Sequence, residues 1–343
     1  MDSVGTAAEA HSCDPASDAR PDVASGTTSG RERGVVGNAS AADVEAAWND
    51  TKLAQVLYHD WEAGSYDEKW SISFDQRCID YARDRFVAVA GMPEVPYGSS
   101  LEIGGGTGFF TLNLMQAGII DSGTVTDISP GMVAAAKRNA EGLGLRIDGE
   151  AVDAEDLPFE DDSFDLVIGH AVIHHLPDVE QAFREMVRVV RPGGRIVICG
   201  EPTRYGDVVA RRLSRATWWA ATAATRLPFL RDWARPQEEL DESSRAAALE
   251  AVVDLHTFDP AELRALVRRA GGREVSTVTE ELTAAWWGWP VRTLEAAIRE
   301  ERLTRAWRVM AFRSWILLSR LDERVKPVVP DALYYNVSVT ATV

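Results

Sequence analysis

The spacing of hydrophobic positions changes period several times along the chain. From Ala41 to Gly91 apolar and aromatic residues recur at helical spacing, around Trp48, Leu53, Val56 and Leu57 and again through Ile79, Tyr81, Ala82 and Phe86. After a break at Pro93 to Gly98 the pattern predicts a strand over Ser100 to Ile103, a glycine loop, and a helix through Phe110, Leu112, Leu114 and Met115. A second strand ends near Asp127, and Ser129-Pro130 then supplies a helix cap followed by proline in the first turn. Glu150 to Val152 suits a short strand, and Phe164 to Gly169 is an apolar run of the length of a buried parallel strand. A helix follows over Val179 to Val190, which Pro192-Gly193-Gly194 is expected to stop before a strand over Arg195 to Cys199. Beyond Glu201 an Arg-rich helical stretch runs to about Ala248. The chain then predicts a helix (Asp259 to Ala270), a strand (Glu274 to Thr279), Trp- and Arg-rich helices (Ala284 to Leu321) and a last strand (Tyr334 to Val343).

Strands alternating with helices imply an α/β fold, a doubly wound, Rossmann-like, mostly parallel sheet. Residues 1–40 contain no Leu, Ile, Phe, Tyr or Trp, too little apolar surface to offset chain entropy, and read as a disordered tail without a secretory signal. The expected division is this tail, a helical lid over 41–97, a ligand-binding core over 98–202, a helical insertion over 203–250 and a completion of the sheet over 251–343.

Composition narrows the chemistry. The 36 basic and 53 acidic residues leave a net charge of −17, which disfavours nucleic acid as a partner. Cys13, Cys78 and Cys199 show no zinc-binding spacing, so no metal site is expected and a reducing cytoplasm fits best. No stretch of about 18 uncharged apolar residues offers a membrane span.

The segment Leu101-Glu102-Ile103-Gly104-Gly105-Gly106-Thr107-Gly108 is a strand ending in alternate glycines, which let the main chain approach a ligand closely. A dinucleotide fingerprint needs glycine where Phe109 stands, which argues against a nicotinamide oxidoreductase. Asp127, at the end of the second strand, is placed to accept hydrogen bonds from both hydroxyls of a ribose. After the third strand, the run from Asp153 to Phe159 offers a side-chain acceptor and a backbone amide to an adenine edge.

Taken together, the motifs Glu-Ile-Gly-Gly-Gly-Thr-Gly, Asp-Ile-Ser-Pro-Gly-Met, Asp-Ala-Glu-Asp-Leu-Pro-Phe, Ser-Phe-Asp-Leu-Val, His-His-Leu-Pro-Asp and Arg-Pro-Gly-Gly-Arg resemble the class I S-adenosylmethionine-dependent methyltransferases, in the branch of quinone C-methyltransferases and small-molecule methyltransferases. The likeness covers about Tyr66 to Cys199. It implies an antiparallel last strand, an amino-terminal helical lid and helices inserted after the fifth strand. It also implies that Glu102, Gly104, Gly105, Gly106 and Gly108 line the methionine part of the cofactor and that Asp127 and Ile128 hold the ribose. By the same likeness Met132, Asp153, Ala154 and Glu155 surround the adenine, His170 sits beside the transferred methyl, and Tyr66 closes over the cofactor carboxylate. His170, His174, His175 and Glu201 all fall near carboxyl ends of strands, and the three histidines are the candidate bases. A protein methyltransferase and a non-catalytic cofactor-binding relative are the alternatives.

None of the eleven tryptophans lies between Ser71 and Thr217, whereas eight follow that stretch, where this fold adds its acceptor-binding elements. Val209, Leu213, Ala216, Ala220, Ala223 and Leu227 recur at steps of three and four, with Arg211 and Arg215 on another face. Such a helix suits a lid over a lipophilic small-molecule acceptor, a peripheral membrane contact or a homodimer face.

Overall fold

In the computed structural model the described residues are 46–47, 50–67, 72–237, 239–240 and 253–343. The expected tail over 1–40 and the end of the Arg-rich stretch near Ala248 lie outside them. Seven strands form one sheet: β1 (Ser100–Glu102), β2 (Gly123–Asp127), β3 (Ile147–Ala151), β4 (Phe164–His170), β5 (Val190–Pro202), β6 (Arg273–Glu280) and β7 (Asn336–Thr342). Their order is β3-β2-β1-β4-β5-β7-β6, parallel except for β7, which runs antiparallel to both neighbours. This is the mixed, mostly parallel sheet of the class I methyltransferase type.

Side-chain alternation along the central strands splits the core in two. Ile196 and Ile198 of β5 join Leu101, Ile103 and Val167 on one face, under Phe183 and Met186 of α5 (Val179–Val189) and Val267 of α7 (Pro260–Arg269). Val197 and Cys199 join Leu166 and Ile168 on the other, under Ala82 and Phe86 of α2 (Gln76–Ala90) and Phe110 and Leu114 of α3 (Phe109–Gln116). Of the residues expected as a helical lid over 41–97, α2 contributes Ala82 and Phe86 to this second core, and α1 (Thr51–Glu62) precedes it.

Two boundaries differ from expectation for physical reasons. The fifth strand begins at Val190, so Pro192-Gly193-Gly194 does not precede it but interrupts its pairing between Phe164 and Leu166 as a bulge. Gly193 adopts φ +83° there and donates its N–H to the Val343 carbonyl at 3.0 Å. The third strand starts at Ile147, ahead of the expected Glu150, because it is a sheet edge whose exposed residues carry little apolar signal.

The C-terminal additions are α6 (Arg204–Ala224), α8 (Thr283–Ala297) and α9 (Arg305–Val325), with α8 packed against both others. A fourth helix of the cofactor half, α4 (Pro130–Gly142), follows β2. Helix α8 lacks a cap of its own at Leu282 and borrows one from α9. The buried Asp322 carboxylate accepts the N–H groups of Leu282 (2.9 Å), Thr283 (2.9 Å) and Ala284 (3.0 Å). Replacing Asp322 by Ala strands two buried donors and one half-buried one, so an equilibrium urea titration is expected to show a loss of about 3 kcal/mol with unchanged m-value. Retention of the wild-type midpoint would show that α8 does not depend on this cap.

Candidate functional site

The carboxyl ends of β1, β2, β4 and β5 lie side by side, and each delivers one part of the site. After β1 the chain reverses through Gly104, Gly106 and Gly108, with φ of +54°, +52° and +84°. Gly104 has a second requirement besides its angle: a Cβ there would lie 2.0 Å from Cγ2 of Val172, so no side chain fits between the loop and the turn after β4. Beneath the loop Glu102 is buried and accepts the Thr111 N–H at 3.1 Å, while burial pushes its carboxyl up to about 8.

At the end of β2, Asp127 accepts the Gly106 N–H on Oδ2 and the Ser129 N–H on Oδ1, both at 2.9 Å. Burial raises its carboxyl above the ordinary value, and the charge of His59 and these two amides oppose that rise. Each carboxylate oxygen keeps a further lone pair. Ser129 caps α4 through the Met132 N–H at 3.1 Å; Met132 is buried and Ile128 half-buried. After β3, Asp153 folds its Oδ1 back onto the Glu155 N–H at 2.9 Å, with Ala154 buried between them.

Helix α1 crosses these loops. Lys52 reaches Asp153 at 2.5 Å and Glu155 at 2.6 Å, Gln55 donates to the carbonyls of His175 and Val253, and Asp60 accepts from Ser129 and from the Gly131 N–H. Burial works against the Lys52 charge, but the two carboxylates outweigh it and hold the ammonium above its ordinary value. Tyr66, in the turn beyond α1, lies over Gly106, where an added Cβ would be 3.9 Å from its ring.

The three histidines occupy different environments. His170 ends β4 inside an aromatic cage, with ring centroids 5.4 Å from Phe109, 5.3 Å from Phe110 and 5.9 Å from Tyr81. Burial, helped by Arg85, lowers it to about 4, so it is neutral at ordinary pH and a weak base. His175 donates Nδ1–H to the Val253 carbonyl at 3.0 Å, and burial holds it well below its ordinary value. His174 has a carboxylate at hydrogen-bond distance: Nδ1 meets Glu201 Oε2 at 2.8 Å, while Asp254 lies 3.8 Å from His174 Nε2 and 3.6 Å from His175 Nδ1. Glu201 is fully buried and also accepts the N–H groups of Val172, Ile173 and His174. The sequence names Glu201 only as one more acid at a strand end; Asp254 could not be placed, being eighty residues from the histidines and joined to them by the Leu255 and His256 N–H bonds to the His174 carbonyl.

His174, His175 and Asp254 place donor atoms within 4.8 Å of one another, a set able to hold a divalent cation. An ion there would compete with the Val253 carbonyl for His175 Nδ1, whereas the Glu201–His174–Asp254 line is complete without one.

Comparison with known proteins bears on this geometry. Residues 101–198 match the family model of a methyltransferase domain. The ubiquinone/menaquinone biosynthesis C-methyltransferase UbiE of Bartonella henselae is 37% identical over 118 residues, 34% of this chain and 45% of that one. The demethylmenaquinone methyltransferase of Mycolicibacterium paratuberculosis is 39% identical over 99 residues, 29% of this chain and 40% of that one. The chain thus spans less than half the length of the curated relatives it matches. Among solved structures, Haemonchus contortus phosphoethanolamine N-methyltransferase 2, in complex with phosphomonomethylethanolamine and S-adenosylhomocysteine, superposes with a TM-score of 0.52 over 85% of this chain and 59% of that one, at 14% identity. The chain therefore carries a class I methyltransferase domain, the class whose cofactor is S-adenosylmethionine, and resembles the quinone C-methyltransferases in sequence.

Glu102 gives this site a pH signature. Below its ordinary value of 4.5 the carboxyl is protonated in both the folded and unfolded chain; between 4.5 and about 8 only the unfolded chain releases the proton, so folding loses stability as pH rises through that window. In ligand-free protein, the melting temperature of Glu102→Gln is expected to gain on wild type from pH 4.5 to pH 8, since glutamine still accepts the Thr111 amide. A difference that does not vary with pH would contradict the assignment.

Proposed function

We propose that the protein transfers the methyl group of S-adenosylmethionine to a small, lipophilic or aromatic acceptor, at carbon or oxygen, with His174 as general base. The observation that carries this reading is the Glu201–His174 pair at the carboxyl end of β5, set against the glycine loop through Val172 and Gly104. Asp127 would take the ribose hydroxyls on its remaining lone pairs, and the Asp153–Glu155 turn would take the adenine under Lys52. Glu102, beneath the loop, would release its proton as the cationic amino acid end of the cofactor binds and so balance that charge.

When bound, S-adenosylmethionine would supply an electrophilic methyl group and leave as a neutral thioether, with an acceptor hydroxyl, or a ring carbon activated by one, taking the methyl. The acceptor proton passes to His174 Nε2, and the resulting imidazolium is held between Glu201 and Asp254. His170, neutral in its aromatic cage, would shape the space beside the methyl without moving a proton. The quinone-pathway relatives favour an aromatic acceptor with a lipid-like tail, and the tryptophans Trp286, Trp287 and Trp289 on α8 favour apolar surroundings for it.

Mass spectrometry of a cell extract incubated with the protein and deuteromethyl cofactor tests the reading directly. A labelled small apolar product is expected. Label in protein would indicate a protein methyltransferase, and bound cofactor without labelled product a non-catalytic relative. With the acceptor known, His174→Ala is expected to lower kcat about 10²- to 10⁴-fold while leaving calorimetric cofactor affinity unchanged. Asp127→Ala is expected to weaken S-adenosylmethionine binding by about 1 to 3 kcal/mol. Wild-type turnover in the first variant would remove the base, and wild-type affinity in the second would remove the ribose contact.

A further inference from the structure

Helix α6 does not bury the stripe that its spacing suggests. Its buried positions are Gly206, Ala210 and Ala221, small residues; a Cβ at Gly206 would lie 2.5 Å from the Tyr335 backbone. Trp219, on the opposite side, is 74% exposed among Arg212, Arg215 and Ala216. The same mixture recurs beyond it. Phe229 is 76% exposed next to Arg226 and Arg231, and on α9 Leu317 is 67% exposed between Arg313 and Arg320.

Charge in this layer opposes the rest of the chain. Between Arg204 and Trp233 six arginines accompany two acids, and α9 carries five arginines with Glu323 as its one exposed acid. The whole protein has a net charge of −17. Among the described residues Arg212, Arg226, Arg313 and Arg320 show no ion pair, so their charge is available to a partner.

We propose that the α6, α8 and α9 layer docks the protein onto the surface of an anionic lipid bilayer. Tryptophan, phenylalanine and leucine exposed among arginines have the composition of an interfacial helix, with the rings at headgroup depth and the guanidinium groups on lipid phosphates. The acidic surface elsewhere does not cancel the attraction, because at physiological ionic strength charge is screened beyond about 8 Å. Among the described residues no helix is long and apolar enough to cross a membrane, so the layer lies on the bilayer. Since α6 begins immediately after β5, docking would bring the Glu201–His174 end of the sheet close to acceptors dissolved in lipid. That purpose rests on the proposed acceptor class; the docking itself does not.

Vesicle co-sedimentation of the full chain tests the proposal, with phosphatidylcholine alone and phosphatidylcholine mixed with phosphatidylglycerol. The protein is expected to sediment with the anionic vesicles at low salt, to stay in solution with the neutral ones, and to be released by added salt. Arg313→Ala and Arg320→Ala are each expected to lower vesicle partition about fivefold, the equivalent of about 1 kcal/mol per arginine at a charged surface. Trp219→Ser and Leu317→Ser should weaken binding at every salt concentration, with unchanged melting temperatures because these side chains are exposed. Asp127→Ala should bind vesicles like wild type, which separates this proposal from the methyl-transfer reading. No binding to anionic vesicles, or equal and salt-independent binding to both kinds, would overturn it. So would light scattering that shows a dimer broken by Trp219→Ser and Leu317→Ser without any vesicle binding, because the face would then belong to a second copy.

Discussion

A single buried carboxylate organises the reactive end of this sheet. Glu201 has no exposed surface, and a polar group in that position is tolerable only because three backbone N–H groups and one imidazole surround it. Those partners all come from Val172, Ile173 and His174, so the carboxyl group pins the turn after β4 to the end of β5. The turn in turn fixes Val172 against Gly104, which sets how closely the glycine loop approaches the neighbouring strand. The His174 carbonyl then accepts the N–H groups of Leu255 and His256, extending the same anchorage to a distant segment. An apolar residue in place of Glu201 would leave three amides and a histidine nitrogen without partners, a loss that neighbouring side chains have no means of making good.

Helix α1 complements that anchor from above. Lys52, Gln55 and His59 are spaced at three and four residues, and together with Asp60, one position further round the helix, they reach the loops after β2, β3 and β4. Its contacts with these loops are polar, with Gln55 buried among them, whereas α2 is held by fully buried Ala82 and Phe86.

Legibility in the sequence followed the strength of the local signal. The central strands and α5 were readable because burial on both faces of β4 forces a continuous apolar run, and burial on one face of α5 forces Val179, Ala182, Phe183, Met186 and Val189 into steps of three and four. The glycine loop and Asp127 were readable because backbone angles and strand ends restrict residue type. Strand β3 was blurred by its edge position, and the start of β5 by a proline-glycine bulge that mimics a turn. Other features had no local signal at all. Asp322 caps a helix forty residues earlier in the chain, Asp254 meets His174 across eighty residues, and Lys52 reaches Asp153 across a hundred and one. Each is an ordinary polar residue until the fold brings its partner near.

The difference between α5 and α6 shows why amphipathic spacing alone misleads. In α5 the apolar stripe is the buried stripe, and large side chains fill the space over the sheet. In α6 the backbone of Tyr334 and Tyr335 approaches so closely that only glycine fits at position 206, and the other buried positions, Ala210 and Ala221, are small as well. The large apolar residue Trp219 lies on the outer side, and its exposure requires either a persistent hydrophobic cost or a second surface to cover it. The arginines around it decide which surface is chemically compatible: a neutral protein face would have to bury their charge, whereas a layer of lipid phosphates pairs with it.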